Sequence, residues 1–315
     1  MSERLKIKSH FDVLGDILET SRFQGTIFFR STLAAPWGMS LDATQFPRFH
    51  IAMTGSFFVC HEITGNNIKV SEMGMVILPT GGAHWIADRP GRQMVPSTKA
   101  GEACELGKPM FQQGQITNHL MCGLIRFDNQ TTHPFMNALP DVIHIPHIEA
   151  SSAVWQLIML IDNELSELGP SSNTMVDRLT EALFLKLLQK FVIQSEEAMG
   201  FSTALRDRRL HVVLQLIHQR MHENWTIEKL AHQAGMSRAT LVRRFCEAVG
   251  LAPIKYLVQW RLLKAHNLLK YSNQPLEVIA EQTGFASGQT LTKAFKRQYG
   301  YTPMSLICTS AVANK

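Results

Sequence analysis

Long apolar runs, paired cysteines and short catalytic signatures are all missing from this 315-residue chain. Its most apolar stretches, Val154 to Ile161 and Leu183 to Ile193, fall far short of the roughly 20 residues that cross a bilayer, so no membrane partner is expected. Met1 to Lys8 carry charge with no apolar core behind them, so no secretory signal is expected. The five cysteines, at 60, 104, 122, 246 and 308, are odd in number and widely spaced, and no Cys-x-x-Cys occurs. Neither a disulfide framework nor a structural zinc site follows, and a reducing cytoplasm fits. There is no Gly-rich phosphate loop and no nucleophile elbow. His61-Glu62 opens like a metalloprotease helix but has no second histidine at the needed spacing.

What is present is ordinary globular composition, 45% hydrophobic and 18% charged. That is enough apolar side chain to exclude disorder for the bulk, in a length that suggests about two domains. The net charge of +5 is unevenly spread. Residues 205–315 hold 16 Lys and Arg against 6 Asp and Glu, while residues 1–204 hold 15 against 20. A basic C-terminal third is the electrostatic footprint of a polyanion binder, although solvated helical faces can also be basic.

Periodicity divides the chain into three parts. After a short amphipathic helix over 11–19, residues 23–88 read as short strands rich in β-branched and aromatic residues, bounded by Gly, Pro, Asn and Asp. A Gly/Pro/Lys/Gln-rich surface loop covers 89–115, and strands resume at 119–127 and 141–145. Such spacing predicts a sandwich or small barrel. Helical spacing takes over at 152–168 and 175–194, around a turn at Gly169-Pro-Ser-Ser-Asn. From about 205 nearly everything reads as helix. The expected architecture is therefore α+β, with boundaries at 10–150, 151–204 and 205–310.

The strongest signal is an internal repeat of about 50 residues. Ile227, Ala231, Gly235, Leu241, Phe245, Gly250 and Pro253 match Leu276, Ala280, Gly284, Leu291, Phe295, Gly300 and Pro303, with one extra residue before Leu291. Each alanine is small where two helices cross. Each first glycine suits a turn of positive φ. Ser237 and Ser287 are placed to cap the next helix, and each Leu/Phe pair, four residues apart, plugs that helix into the core. That is a helix-turn-helix, twice. The helical stretch between the copies, Ala252 to Ser272, would run about 31 Å, close to the roughly 34 Å of one turn of B-DNA. The bland reading is a small helical solenoid.

Residues 206–307 resemble the tandem helix-turn-helix domain of the AraC/XylS family of transcription regulators. The segment from Ile279 to Pro303 carries that family's signature. With Leu241 and Phe245 in the core, the opposite face of the first recognition helix carries Arg238, Ala239, Val242 and Arg243. Arg can grip a guanine edge and Ala can touch a thymine methyl. The resemblance places base contacts at Ala239 and Arg243. On the second helix the same logic exposes Gly288, Gln289, Thr292, Lys293 and Lys296, where the family often has a contacting side chain in place of Gly288. The DNA-contacting set expected is Ser237, Arg238, Ala239, Thr240, Arg243 and Arg244 with Gly288, Gln289, Thr292, Lys293 and Lys296. For any one basic residue, a phosphate-only role is the alternative.

The run Gly74 to Asp88, with Pro79-x-Gly81-x-x-His84 inside it, resembles the second conserved motif of cupin barrels. Ala35-Pro-Trp-Gly and Phe49-His-Ile also look like the cupin-type sensor that some AraC-family members carry. The resemblance implies a β-barrel over roughly 10–145. Catalytic cupins hold iron or manganese with His-x-His plus a glutamate, and no His-x-His occurs here, which argues against an oxygenase. His50, His84 and Cys122, on separate strands, are the candidate metal-ligand set. Without tight spacing they read as interior side chains, and no metal or other cofactor is assigned. Trp37, Phe49, His50, His84 and Trp85 are the candidates to line a small-molecule pocket, or simply to fill the barrel. The stripe Met175, Leu179, Phe184, Leu187 and Phe191 is either a homodimer face or packing against the chain's own barrel.

The reading is a cytoplasmic, sequence-specific regulator without enzymatic activity, an activator of promoter DNA. Its cupin-like domain would sense an unknown effector or dimerise, with contact to RNA polymerase as a further partner. The alternatives are a cupin metalloenzyme fused to a DNA-binding module, and a regulator that needs no ligand.

Overall fold

A computed structural model describes residues 12–62, 65–106, 108–127, 139–167, 172–190 and 200–307. Val154 to Ile161 is an ordinary amphipathic helix segment, and among the described residues no helix is long and apolar enough to cross a membrane. The described residues fall into two compact units. One contains 23–127 and 139–190; the other joins 12–22 to 200–307.

The first unit is built on strands. One sheet runs β1 (Phe23–Ala34), β9 (Ile116–Phe127), β3 (Arg48–Thr54), β6 (Met75–Leu78), β10 (Ile143–Ile145). The other runs β5 (Asn67–Val70), β4 (Phe57–His61), β7 (His84–Ala87), β2 (Gly38–Leu41), β8 (Val95–Pro96). The barrel expected from the sequence thus takes the form of two five-stranded sheets around one core, to which Leu33, Trp37, Phe57, Val59, Val76 and Leu120 contribute. Among the described residues, every strand pairing is antiparallel except β2 with β8. Part of the surface loop expected over 89–115 is instead a helix, α2 (Ser97–Glu105).

Two helices follow, α3 (Ala153–Glu167) and α4 (Ser172–Leu188). Gly25 of β1 lets α4 approach closely, because a Cβ there would meet Thr180 Cγ2 at 2.6 Å. Phe184 packs edge-on to Phe23 with ring centroids 5.3 Å apart, and Leu187 is buried. Of the proposed stripe, then, Phe184 packs on the chain's own sheet, Leu187 is buried, Leu179 is half-buried and Met175 is exposed. Phe191 lies outside the described residues.

The second unit is helical: α5 (Phe201–Arg206), α6 (Arg208–Gln219), α7 (Ile227–Gln233), α8 (Arg238–Val249), α9 (Pro253–Tyr271), α10 (Leu276–Gln282) and α11 (Gly288–Tyr299). The 19-residue α9 is the shared spine. Tyr256 meets Phe245 and Phe201 on the side of the first repeat. Leu262, Ala265 and Leu269 meet Ile279, Ala280, Leu291 and Phe295 on the side of the second.

The helix expected over 11–19 is present as α1 (Val13–Ser21), capped by Asp12. The sequence reading assigned it to the cupin-like domain, whereas it packs on α6 and α9 of the helical unit. Asp16 fixes it there, accepting from Lys264 Nζ at 2.6 Å and from His218 Nδ1 at 2.7 Å. His218 is buried, which pushes its imidazole below its ordinary value against the pull of Asp16, and its Nε2 lies 2.8 Å from the Tyr256 hydroxyl. Burial pushes the Asp16 carboxyl up, but the bonds from His218 and Lys264 outweigh it and hold it below the usual carboxylate range.

Candidate functional site

The two helix-turn-helix copies follow the sequence closely. Ala231 and Ala280 are buried where the helices cross. Gly235 and Gly284 take φ of 60° and 76°, and Gly250 and Gly300 end the recognition helices at 77° and 81°. Ser237 and Ser287 each accept from the backbone amide three residues on, Thr240 and Thr290, at 3.2 Å. Leu241, Phe245, Leu291 and Phe295 are fully buried.

That leaves a defined outer face. On α8, Arg238, Ala239 and Arg243 are exposed. Arg238 pairs with Glu228 at 2.8 Å and Arg243 with Glu247 at 3.1 Å. Both pairs are open to solvent and screened by it, so either guanidinium can leave its partner for DNA. Ser237 and Thr240 bond each other at 2.8 Å and serve the cap first. Arg244 is half-buried and held by Asp207, the cap of α6, which marks it as a brace between helices. On α11, Gln289, Lys293 and Lys296 are exposed, and Thr292 turns its hydroxyl back onto the Gly288 carbonyl at 2.8 Å.

Gly288 departs from the expectation. It is buried, and its amide donates to Glu277 at 2.8 Å. A Cβ there would lie 2.6 Å from Glu277 Oε1. The start of this helix is closed instead by a carboxylate from α10.

In the strand unit, Pro79-Thr-Gly81 makes the expected tight turn, with Gly81 at φ 69° and bonded back to Leu78. His84 and His50 then meet in the interior, Nε2 to Nε2 at 2.8 Å. His84 Nδ1 donates to the Gly82 carbonyl at 2.8 Å, so its Nε2 accepts and His50 donates. The arrangement needs both rings neutral. Burial supplies that condition, pushing His84 down to about 4 and His50 well below its ordinary value. Cys122 lies opposite His50 across β3 and β9, and burial pushes its thiol far up, the wrong direction for a thiolate ligand. Among the described residues no group of three or more His, Cys, Asp or Glu side chains is placed to hold a metal ion.

The other pocket candidates are placed as follows. The Trp37 indole is buried and donates to Asn118 Oδ1 at 3.1 Å, and the Phe49 ring covers Gly123. Trp85 is part-buried on β7. None of Trp37, Phe49, His50, His84 and Trp85 is among the described residues lining one cavity of this unit. That cavity, of about 190 Å³, lies among Phe28, Phe29, Met39, Leu41, Ile86 and Leu124, with Arg48, Cys122 and the start of α2 completing the wall. Sequence reasoning passed over Arg48. The only available signal was a basic residue at the head of an otherwise apolar strand, Arg48-Phe-His-Ile-Ala-Met.

Comparison with known proteins agrees with this geometry. A cupin family model matches residues 12–192 and a helix-turn-helix domain model matches residues 230–307. The regulator AlkR of Acinetobacter baylyi is 27% identical over 93% of this chain and 97% of its own. A putative AraC-like transcription regulator of Streptomyces antibioticus is 25% identical over 93% and 97%. The chain belongs to the AraC family of transcription regulators, with an N-terminal cupin domain. Among solved structures, the DNA-binding domain of AdpA, in complex with a target DNA, is 34% identical over 34% of this chain and 96% of its own, with a TM-score of 0.32. As a family member this chain is a DNA-binding transcription regulator.

Proposed function

We propose that this regulator is a cytoplasmic activator, without enzymatic activity of its own, that reads promoter DNA chiefly through α8. Arg243 reads a base edge, Ala239 packs against a thymine methyl, and Arg238 joins them at the mouth of the helix. Gln289, Lys293 and Lys296 of α11 hold the backbone and set the register. The observation that carries this reading is the contrast at the two helix starts: exposed Arg238 on one, buried Gly288 on the other.

The cupin unit senses a small molecule in its apolar cavity. The protein acts as a homodimer through the face of α3 and α4 that exposes Met159, Leu160, Met175 and Leu185. RNA polymerase is the partner an activator requires.

Selection of bound fragments from random and genomic DNA by the full chain, at one stated salt concentration, tests the reading. The expected result is two short boxes about one helical turn apart, the box under α8 the better defined. Binding with no sequence preference, with and without cell extract as a source of effector, would overturn it.

A further inference from the structure

The cavity in the strand unit is polarised. Its walls are aromatic and aliphatic side chains, and Arg48 is the one charged residue among the described residues lining it. Two consecutive phenylalanines, Phe28 and Phe29, both line it, although neighbours on a strand normally point to opposite faces. The register of β1 against β9 slips between Ile27 and Phe29, so a bulge at Phe28 brings the second ring to the same side. Bulges of this kind re-aim side chains, and here the result is an aromatic wall rather than a filled core.

Arg48 is not satisfied by the protein around it. Its Nη1 donates to the Asp42 carbonyl at 2.7 Å, while its Nε is buried and has no hydrogen-bond partner among the described residues. A buried donor on a charged group costs free energy until an acceptor arrives. With Nη1 held, the edge formed by Nε and Nη2 is the side-on fork that matches a carboxylate. The volume of about 190 Å³ suits a small molecule, since an apolar cavity of about 150 Å³ is enough to take up benzene. Only the Ser97 and Thr98 hydroxyls add hydrogen-bonding side chains to the wall, too few to match a polyhydroxylated ligand.

We propose that this cavity takes a small apolar carboxylate, an aromatic or short-chain organic acid whose charged end lies on Arg48 and whose body lies against Phe28 and Phe29. The assignment rests on the sensing role proposed above and names the chemical class sensed.

The test compares acids with their neutral amides on the full-length protein: benzoate with benzamide, and hexanoate with hexanamide, by calorimetry and melting temperature. The acids are expected to bind and raise the melting temperature, with the amides tenfold or more weaker. Arg48→Gln is expected to erase the preference by weakening the acids about 10- to 100-fold, the range set by loss of a charge-assisted bond. Arg48→Lys keeps the charge and loses the fork, so it should weaken the acids and leave the amides unchanged. It also serves if the glutamine variant fails to fold.

Gly101→Leu should abolish binding of both classes by occupying the cavity. A Cβ at Gly101 meets nothing within 4 Å, and leucine suits the helix better than glycine, so this variant should keep the parent's melting temperature or exceed it. Equal binding of acid and amide by the parent protein would overturn the carboxylate assignment and leave the sensing role standing. Failure of every probe on the parent, with DNA binding intact, would overturn both the assignment and the cavity as a sensor.

Discussion

The two helix-turn-helix copies share a skeleton and differ at one corner, and the corner decides what each can do. Glu228 and Glu277 hold the same place in the first helix of their copies, and Arg238 and Gly288 hold the same place at the start of the second. In the first copy the glutamate reaches an exposed guanidinium. In the second, where the turn has one more residue, it reaches a backbone amide. The second solution ties the helices more firmly and removes the side chain that would have faced DNA. On the function proposed above, the duplicated fold would supply one reading helix and one holding helix.

Equality of the skeleton is the first thing to break. Phe245→Ala and Phe295→Ala should each cost about 3–5 kcal/mol, because both rings are fully buried in tightly packed surroundings. Denaturant unfolding of the full chain checks this. Loss from only one variant would mean that the two copies do not share α9 as a common core element.

The turns should differ. Gly235→Ala meets open space and suffers only the strain of positive φ, about 1–2 kcal/mol. Gly284→Ala suffers the same strain, and its Cβ would also meet the Arg261 guanidinium and the His222 backbone at 2.8 Å. Arg261 already holds the Met221 and Glu223 carbonyls at 2.7 Å, so it cannot retreat freely. A further cost of about 1–3 kcal/mol follows from overpacking. Melting temperatures of the two variants should therefore separate, with Gly284→Ala the lower.

Much of this corner was legible in the sequence, because turn glycines, caps and Leu/Phe pairs act over a few residues and leave fixed spacings. The sensor cavity was not. Arg48 comes to Phe28 and Leu124 only because β9 lies between β1 and β3, an order no local pattern encodes. The bulge that aims Phe28 has no signature in the strand's own residues. Trp37 and Phe49 were recognised as interior aromatics, yet their roles depend on Asn118 and Gly123, distant in sequence. The attachment of α1 to the helical unit rests on Asp16 finding His218, 202 residues away. Gly288 failed for a subtler reason. Helical periodicity puts it on the outer face, but the glutamate beside it comes from another helix.

Binding should separate the copies next. Arg243 and Lys293 occupy equivalent places on α8 and α11, both exposed. Arg243→Ala should lose about 1–3 kcal/mol on the selected sequence and relax the preference at one base pair. Lys293→Ala should weaken all sequences alike and lower the slope of log affinity against log salt by about 1. Titrations on the selected and a scrambled duplex at three salt concentrations measure both. The reverse pattern would make α11 the reading helix.

The smallest effect tests the corner itself. Glu228→Ala removes an ion pair whose members are 54% and 68% exposed, so the melting temperature should hardly change. It also frees Arg238, and affinity for DNA should rise slightly as a negative charge leaves the face. Glu277→Ala strips the partner from the Gly288 amide, one of the donors at a helix start that no intrahelical carbonyl can satisfy. That loss should cost about 0.5–1.5 kcal/mol and loosen the start of α11. Gly288→Ala, which keeps the glutamate but pushes it off the amide, should reproduce the loosening, measurable as faster amide hydrogen exchange at 288 and 289. If both glutamate variants behave alike, the buried glycine is incidental and the division between a reading and a holding helix must come from the exposed residues alone.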